Sequence, residues 1–245
     1  MPIRLDTWLV QHNHCDSREK AKQAIEEEAI KVNSIPVKKG SFLVEEDDVV
    51  EIAVASSLRY VSRGGLKLEK ALREFRIDCT DKTVLDIGAS TGGFTDCVLQ
   101  HGAKRVIALD VGSDQLHYSL RKNPKVISLE NTDIRNFDAE EYIENVLDLI
   151  VIDLSFIGLK HVLPSVQTLC GPKTQVITLI KPQFEADKKI KTKNGIVVNQ
   201  RDRDKILEKS SEIITGNGFK IHKIIMTDAD GTNKNIEYLA YLTLI

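Results

Sequence analysis

Leu85-Asp86-Ile87-Gly88-Ala89-Ser90-Thr91-Gly92-Gly93-Phe94 decides the fold. An apolar run enters a glycine-rich turn, and a helical segment follows. Glycines at such a turn let the backbone approach a ligand closely, beyond the carboxyl end of the strand. Tight strand-to-helix packing alone would use the same residues. The turn lacks G-x-x-x-x-G-K-[ST], which excludes a P-loop. Asp110 ends the next apolar run, 24 residues after Asp86. A carboxylate there can accept both ribose hydroxyls of a nucleoside. Asp86 suits a cationic ligand such as S-adenosylmethionine better than a pyrophosphate. The candidate cofactor residues are therefore Asp86, Gly88, Ser90, Thr91, Gly92, Gly93, Phe94 and Asp110. Asp133 suits either an adenine amino group or a helix N-cap.

Outward from this turn, apolar runs alternate with helical segments. The predicted strands are Val84–Gly88, Val106–Asp110, Val126–Leu129, Leu149–Asp153, Gln175–Ile180, Phe219–Met226 and Glu237–Leu244. Such alternation predicts an α/β fold, Rossmann-like, with a seven-stranded mostly parallel sheet covered on both faces. A helix is expected over Leu66–Phe75, with Leu68, Leu72 and Phe75 on one stripe. The first 55 residues read differently, as a small α+β domain. Leu5 and Leu9 suit a first helix, and Ser17 caps a second from Arg18 to Glu27. Asn33-Ser34 marks a tight turn. The expected division is 1–55 as one domain, 56–62 as a linker and 63–245 as the other.

Two strand ends carry chemistry. Asp153 closes Ile152-Asp153-Leu154-Ser155-Phe156, and Lys181 opens Lys181-Pro182-Gln183-Phe184. Both open onto the crevice of the glycine turn. A lysine there, beside carboxylates, can act as a base or orient a hydroxyl; a structural salt bridge is the plainer use. Methyltransferases acting on base amines commonly carry Asp/Asn-Pro-Pro-aromatic at the fourth strand. Asp153-Leu154-Ser155-Phe156 departs from that run and favours an oxygen acceptor.

Bulk properties narrow the class. The longest apolar stretch, near Asp148 to Leu159, is interrupted by Asp153, and no run reaches the roughly 18 residues of a membrane helix. No apolar signal core follows Met1, so a cytoplasmic protein without a membrane partner is expected. Cys15, Cys79, Cys97 and Cys170 are scattered, so no metal site is expected. The net charge of −2 is unevenly spread: residues 1–55 sum to −4, residues 56–76 to +4 and residues 188–205 to +5. The basic segments are either solvated surface or phosphate contacts.

Taken together, Val61-Ser62-Arg63-Gly64-Gly65-Leu66-Lys67-Leu68, the glycine turn, Asp153-Leu154-Ser155-Phe156-Ile157 and Ile180-Lys181-Pro182-Gln183-Phe184-Glu185 resemble the TlyA family. Its members are often labelled haemolysins and are similar to FtsJ-type ribosomal RNA 2′-O-methyltransferases. Arg4-Leu5-Asp6, Ser17-Arg18-Glu19-Lys20-Ala21 and Val32-Asn33 resemble the S-four-type RNA-binding domain. The resemblance implies a catalytic set of Lys67, Asp153, Lys181 and Glu237. Lys181 is nearest the target 2′-hydroxyl, Asp153 holds it and faces the methyl, and Lys67 and Glu237 position the ribose and its phosphate. S-adenosylmethionine is the implied cofactor, and ribosomal RNA or ribosomal subunits the implied partner. The RNA face would gather Arg4, Arg18, Lys20, Lys22, Arg59 and Arg63. The chain departs from the family at Asn33-Ser34, Asp47-Asp48, Gly112-Ser113-Asp114-Gln115-Leu116 and Lys234-Asn235-Ile236-Glu237. A non-catalytic RNA-binding or ribosome-assembly protein is the alternative reading. A pore-forming toxin finds no amphipathic hairpin or apolar span in its support.

Overall fold

A computed structural model describes residues 1–245 except 54–57, 144–146, 187–189, 191 and 228–234. The chain divides into two compact units, Met1–Arg63 and Gly64–Ile245. Part of the expected linker, Ser56 and Ser57, lies outside the described residues, as do Lys234 and part of the basic segment 188–205.

The first unit contains β1 (Ile3–Arg4), α1 (Leu5–Gln11), α2 (Arg18–Glu26), β2 (Ile30–Val32), β3 (Ile35–Pro36), β4 (Leu43–Val44) and β5 (Val50–Ile52). Leu5, Leu9, Ala21, Ala24, Ile25, Ile30 and Val32 bury their side chains in one core. The spacing of these apolar residues is what folds the two helices against the strands. Ser17 caps α2 by accepting the Lys20 backbone N–H at 3.2 Å. Asn33 and Ser34 adopt positive φ (51° and 66°) in the turn between β2 and β3.

The second unit begins with α3 (Gly64–Phe75), β6 (Thr83–Ile87), α4 (Gly93–Gln100), β7 (Arg105–Leu109), α5 (Tyr118–Arg121) and β8 (Val126–Leu129). It continues with α6 (Ala139–Tyr142), β9 (Leu149–Ile152), α7 (Leu163–Leu169), β10 (Gln175–Ile180), α8 (Pro182–Glu185), α9 (Gln200–Gly216), β11 (Phe219–Met226) and β12 (Tyr238–Leu244). Its sheet has the order β11-β12-β10-β9-β6-β7-β8. The strands run parallel except β12, which lies antiparallel between β10 and β11. Leu149 to Ile152 are all fully buried, as a strand covered on both faces requires. After β8 the chain returns to lay β9 beside β6. That reversal opens a crevice past the carboxyl ends of the central strands.

Val126–Leu129, Gln175–Ile180 and Phe219–Met226 match the observed strands, and the other four predicted strands differ from the observed ones by one residue at their ends. Gly88, Asp110, Asp153 and Glu237, expected as strand termini, stand one position outside β6, β7, β9 and β12. The ladder stops where backbone and side chains turn toward the crevice.

Candidate active site

The crevice is about 550 Å³, a size suited to a nucleoside-sized ligand. Gly88, Ser90, Asp110, Gln115, Asp133, Arg135 and Asp153 bring its polar groups, with Leu109, Val111, Ile134, Leu154 and Phe156 among the apolar ones. Gly88 is held at φ 84°. A Cβ there would collide with the Asp153 carbonyl oxygen, so the turn can pass this close to the neighbouring strand end only as glycine. Gly92, at φ 94°, precedes α4 and has Leu120 and Leu116 where a Cβ would stand.

Asp110 accepts the Ser90 backbone N–H at 2.7 Å and the Gly112 N–H at 2.8 Å, one on each oxygen. Those bonds fix the carboxylate at the wall of the crevice and leave each oxygen a further acceptor position. Ser90 also donates its hydroxyl to Gln115 at 3.1 Å. Glu130 accepts the N–H groups of Asp114, Gln115 and Leu116, which holds its carboxyl below the usual range and fixes the loop that carries Gln115. Asp133 takes the cap position that one of its sequence readings gave, and it also faces the crevice. It caps the 3-10 turn Ile134–Asn136 while pairing with Arg135 at 2.6 Å.

Asp86 stands elsewhere than its sequence reading suggests. It is completely buried in β6 and does not line the crevice. Thr95 donates a 2.6 Å hydrogen bond to its Oδ2, while Oδ1 has no partner. Burial, with the charges of Asp153 and Asp110 nearby, raises its carboxyl to about 7 despite the Thr95 bond. Thr91, Gly92, Gly93 and Phe94 likewise shape the turn from behind and do not line the crevice. Phe94 is buried, so its sequence reading as a cofactor contact gives way to packing.

The four residues of the expected catalytic set form two ion pairs. Lys181 Nζ lies 2.5 Å from Asp153 Oδ1, and donates to Ser155 Oγ at 3.0 Å. Lys67, on α3, donates to Glu237 Oε2 at 2.6 Å. The sheet explains the grouping. Ile180 pairs with Tyr238 at the end of β10 and β12, so Lys181 and Glu237 follow on adjacent strands. Ile152 pairs with Thr178 on β9 and β10, so Asp153 follows on the other side. Asn235 accepts the Val197 N–H and donates to Gly195 O, each at 2.9 Å, holding that loop to the residues before Glu237.

Sequence reasoning missed Ser155, Gln115, Arg135 and Phe156. Phe156 sits at φ 68°, almost wholly exposed, and contacts Phe184 at 5.1 Å between ring centroids. Its place inside Asp153-Leu154-Ser155-Phe156 was the available signal.

In the first unit, Arg4 and Arg18 meet on Asp6 at 2.9 and 3.1 Å. Lys20 instead pairs with Asp16 at 2.9 Å. Lys22 runs beside Gly40. Arg59 and Arg63 each have an interaction within the protein. Among the described residues, no cluster of His, Cys, Asp or Glu could hold a metal ion, and no helix is long and apolar enough to cross a membrane.

A seven-stranded sheet with one antiparallel insertion, a glycine turn and an acidic residue after the second strand define a Rossmann-like α/β fold. Residues 60–244 match the FtsJ-like methyltransferase family, and residues 3–50 match the S4 domain. The chain belongs to the FtsJ-like methyltransferase family, with an S4 domain before it. It is 39% identical to "Hemolysin A" of Brachyspira hyodysenteriae, over 99% of this chain and all of that one. It is 34% identical to "16S/23S rRNA (cytidine-2'-O)-methyltransferase TlyA" of Mycobacterium tuberculosis, over 98% of this chain and 89% of that one. A solved structure described as a hemolysin from Streptococcus thermophilus superposes with a TM-score of 0.76 at 36% identity, covering 99% of this chain and 88% of that one.

Proposed function

We propose that the protein transfers a methyl group from S-adenosylmethionine to a ribose 2′-hydroxyl of ribosomal RNA, in the cytoplasm. The observation that carries this reading is the Lys181–Asp153 pair, bonded to Ser155 at the rim of the crevice, with Lys67–Glu237 on the flanking strand. Residues 1–55 act as the RNA-binding domain, 56–62 as the linker and 63–245 as the catalytic domain.

The residues present fit the cofactor. Gly88 brings the backbone to the crevice, Asp110 keeps acceptor positions for ribose hydroxyls, and Asp133, on the crevice wall, would accept the adenine amino group. Asp86, with its unpartnered Oδ1, lies buried beneath the turn. When bound, S-adenosylmethionine supplies a methyl group already activated on a sulfonium.

The chain's own residues supply placement. Lys181 pairs in charge with Asp153, donates one N–H to Ser155 and keeps donors for the acceptor hydroxyl. That fixes the hydroxyl oxygen for in-line attack, which is the larger share of the catalysis when the leaving group is already good. For proton removal Lys181 first passes one of its protons to Asp153, and the neutral amine then takes the hydroxyl proton as the oxygen attacks the methyl. Lys67 and Glu237 hold the ribose and its phosphate. The test is transfer of labelled methyl to purified ribosomal subunits lacking the modification. Label in RNA that resists alkaline cleavage at one position supports the reading. No label on subunits or naked RNA, despite cofactor binding, turns the balance to the non-catalytic RNA-binding alternative.

A further inference from the structure

We infer that Glu185 selects the base of the target nucleotide, accepting a hydrogen bond from an exocyclic amino group and turning uracil away. The inference rests on the methyl-transfer reading above and adds a determinant that reading does not use.

A second cavity, of about 440 Å³, adjoins the crevice. Arg135, Phe156 and Ile157 line both spaces. Lys181 Nζ stands 6.0 Å from the centroid of the Phe184 ring, and Phe184 lines the second cavity. A ribose with its 2′-hydroxyl at Lys181 can therefore place its own base there. Among the described residues that line this cavity, Glu185 alone is acidic. It is the last residue of α8, and its Oε1 accepts the Leu159 backbone N–H at 2.8 Å. Gly158 makes room for the other oxygen: a Cβ there would stand 3.2 Å from Oε2. Capping Leu159 occupies Oε1 only. Among the described residues, nothing donates a hydrogen bond to Oε2.

The chemistry of that oxygen selects the base. An ionised carboxylate only accepts. Burial raises the Glu185 carboxyl, while the Leu159 N–H and the charges of Lys160 and Lys209 favour its ionised form. A half-buried acceptor with an open position gains from an N–H donor that replaces water. Unstacked RNA bases are read in this way, by hydrogen bonds along their Watson–Crick edges. Cytosine, adenine and guanine each present an amino group there. Uracil presents one N–H between two carbonyl oxygens. A carboxylate that reaches for that N–H meets those oxygens, acceptor against acceptor. The cavity therefore favours a base with an exocyclic amino group.

The experiment is transfer of labelled methyl by the full-length protein to ribosomal subunits lacking the modification, followed by digestion of the RNA to nucleosides. Label is expected in a 2′-O-methylated nucleoside whose base carries an amino group. The same transfer is then measured on RNA with uridine at the target position. Wild type is expected to lose about 10- to 100-fold in kcat/KM on the uridine RNA. Glu185→Gln can donate as well as accept, so its two values should lie within about threefold of each other. A purely structural role for Glu185 would lower both values together and keep the wild-type ratio, and that result overturns the inference. Label in 2′-O-methyluridine from the wild type, or equal wild-type values on the two RNAs, overturns it without any variant. That arm decides the matter where Glu185→Gln does not fold. Transfer with an unchanged ratio sinks the role of Glu185 alone. A wild type that labels no RNA sinks the methyl-transfer reading and the role of Glu185 with it.

Discussion

Lys181 and Asp153 leave neighbouring parallel strands and close to 2.5 Å at the rim of the crevice, both largely covered. Neither side chain has a packing reason to be there, because β9 and β10 already fill the core with aliphatic residues. Lys181→Ala is expected to lower kcat by a factor of about 100 or more, since it removes the group that fixes the acceptor hydroxyl. Cofactor affinity, read by calorimetry, is expected to remain within about threefold of wild type. Full methyl transfer by this variant would remove Lys181 from the mechanism.

Lys67 and Glu237 form the second pair, on α3 and just before β12. Glu237→Gln and Lys67→Met should each reduce kcat/KM for RNA by about 10- to 100-fold. The double variant should be no worse than the weaker single, because either change breaks the same contact. Losses that multiply in the double variant would show that the two side chains act separately.

Gly88→Ala tests the turn directly. The new methyl group would strike the Asp153 carbonyl, at a backbone angle that side chains rarely adopt. A loss of about 2 kcal/mol or more is expected in denaturant unfolding. Wild-type stability in that variant would mean the turn can relax away from β9.

Asp86 gives a pH dependence whose sign is fixed by burial. Its carboxyl, normally near 3.8, is raised to about 7 in the folded protein. The unfolded chain therefore releases this proton at lower pH than the folded one does. Its contribution to stability is complete below about pH 3.8 and is lost as pH rises toward 7. Asp86→Asn cannot titrate, so its stability relative to wild type should rise between pH 5 and pH 8, by on the order of 1 to 3 kcal/mol. Chemical denaturation at the two pH values measures this, and parallel changes in both proteins would contradict it.

Much of this architecture can be read from residue order. Apolar runs such as Leu149–Ile152 announce strands buried on both faces, and Gly88 to Gly93 marks the turn between strand and helix. Asp153 and Lys181 stand out because a charged residue ends an apolar run. Asp86 was harder: in a strand covered on both sides, alternation no longer distinguishes core from crevice, and the carboxyl proved to face Thr95. Asp133 was legible as a cap, and its carboxylate both caps a turn and lines the crevice. Asp6 was legible only as part of a motif. Its link to Arg18 crosses the α1–α2 connection, and no local period reports such a contact.

The insertion of β12 between β10 and β11 has a consequence for how the enzyme comes into being. A nascent chain that stops before Glu237 leaves the aliphatic edge of β10 bare and Lys67 without its partner. On a ribosome, the machine whose RNA this protein is proposed to modify, the Lys67–Glu237 pair therefore forms only once β12 has left the exit tunnel and taken its place between β10 and β11.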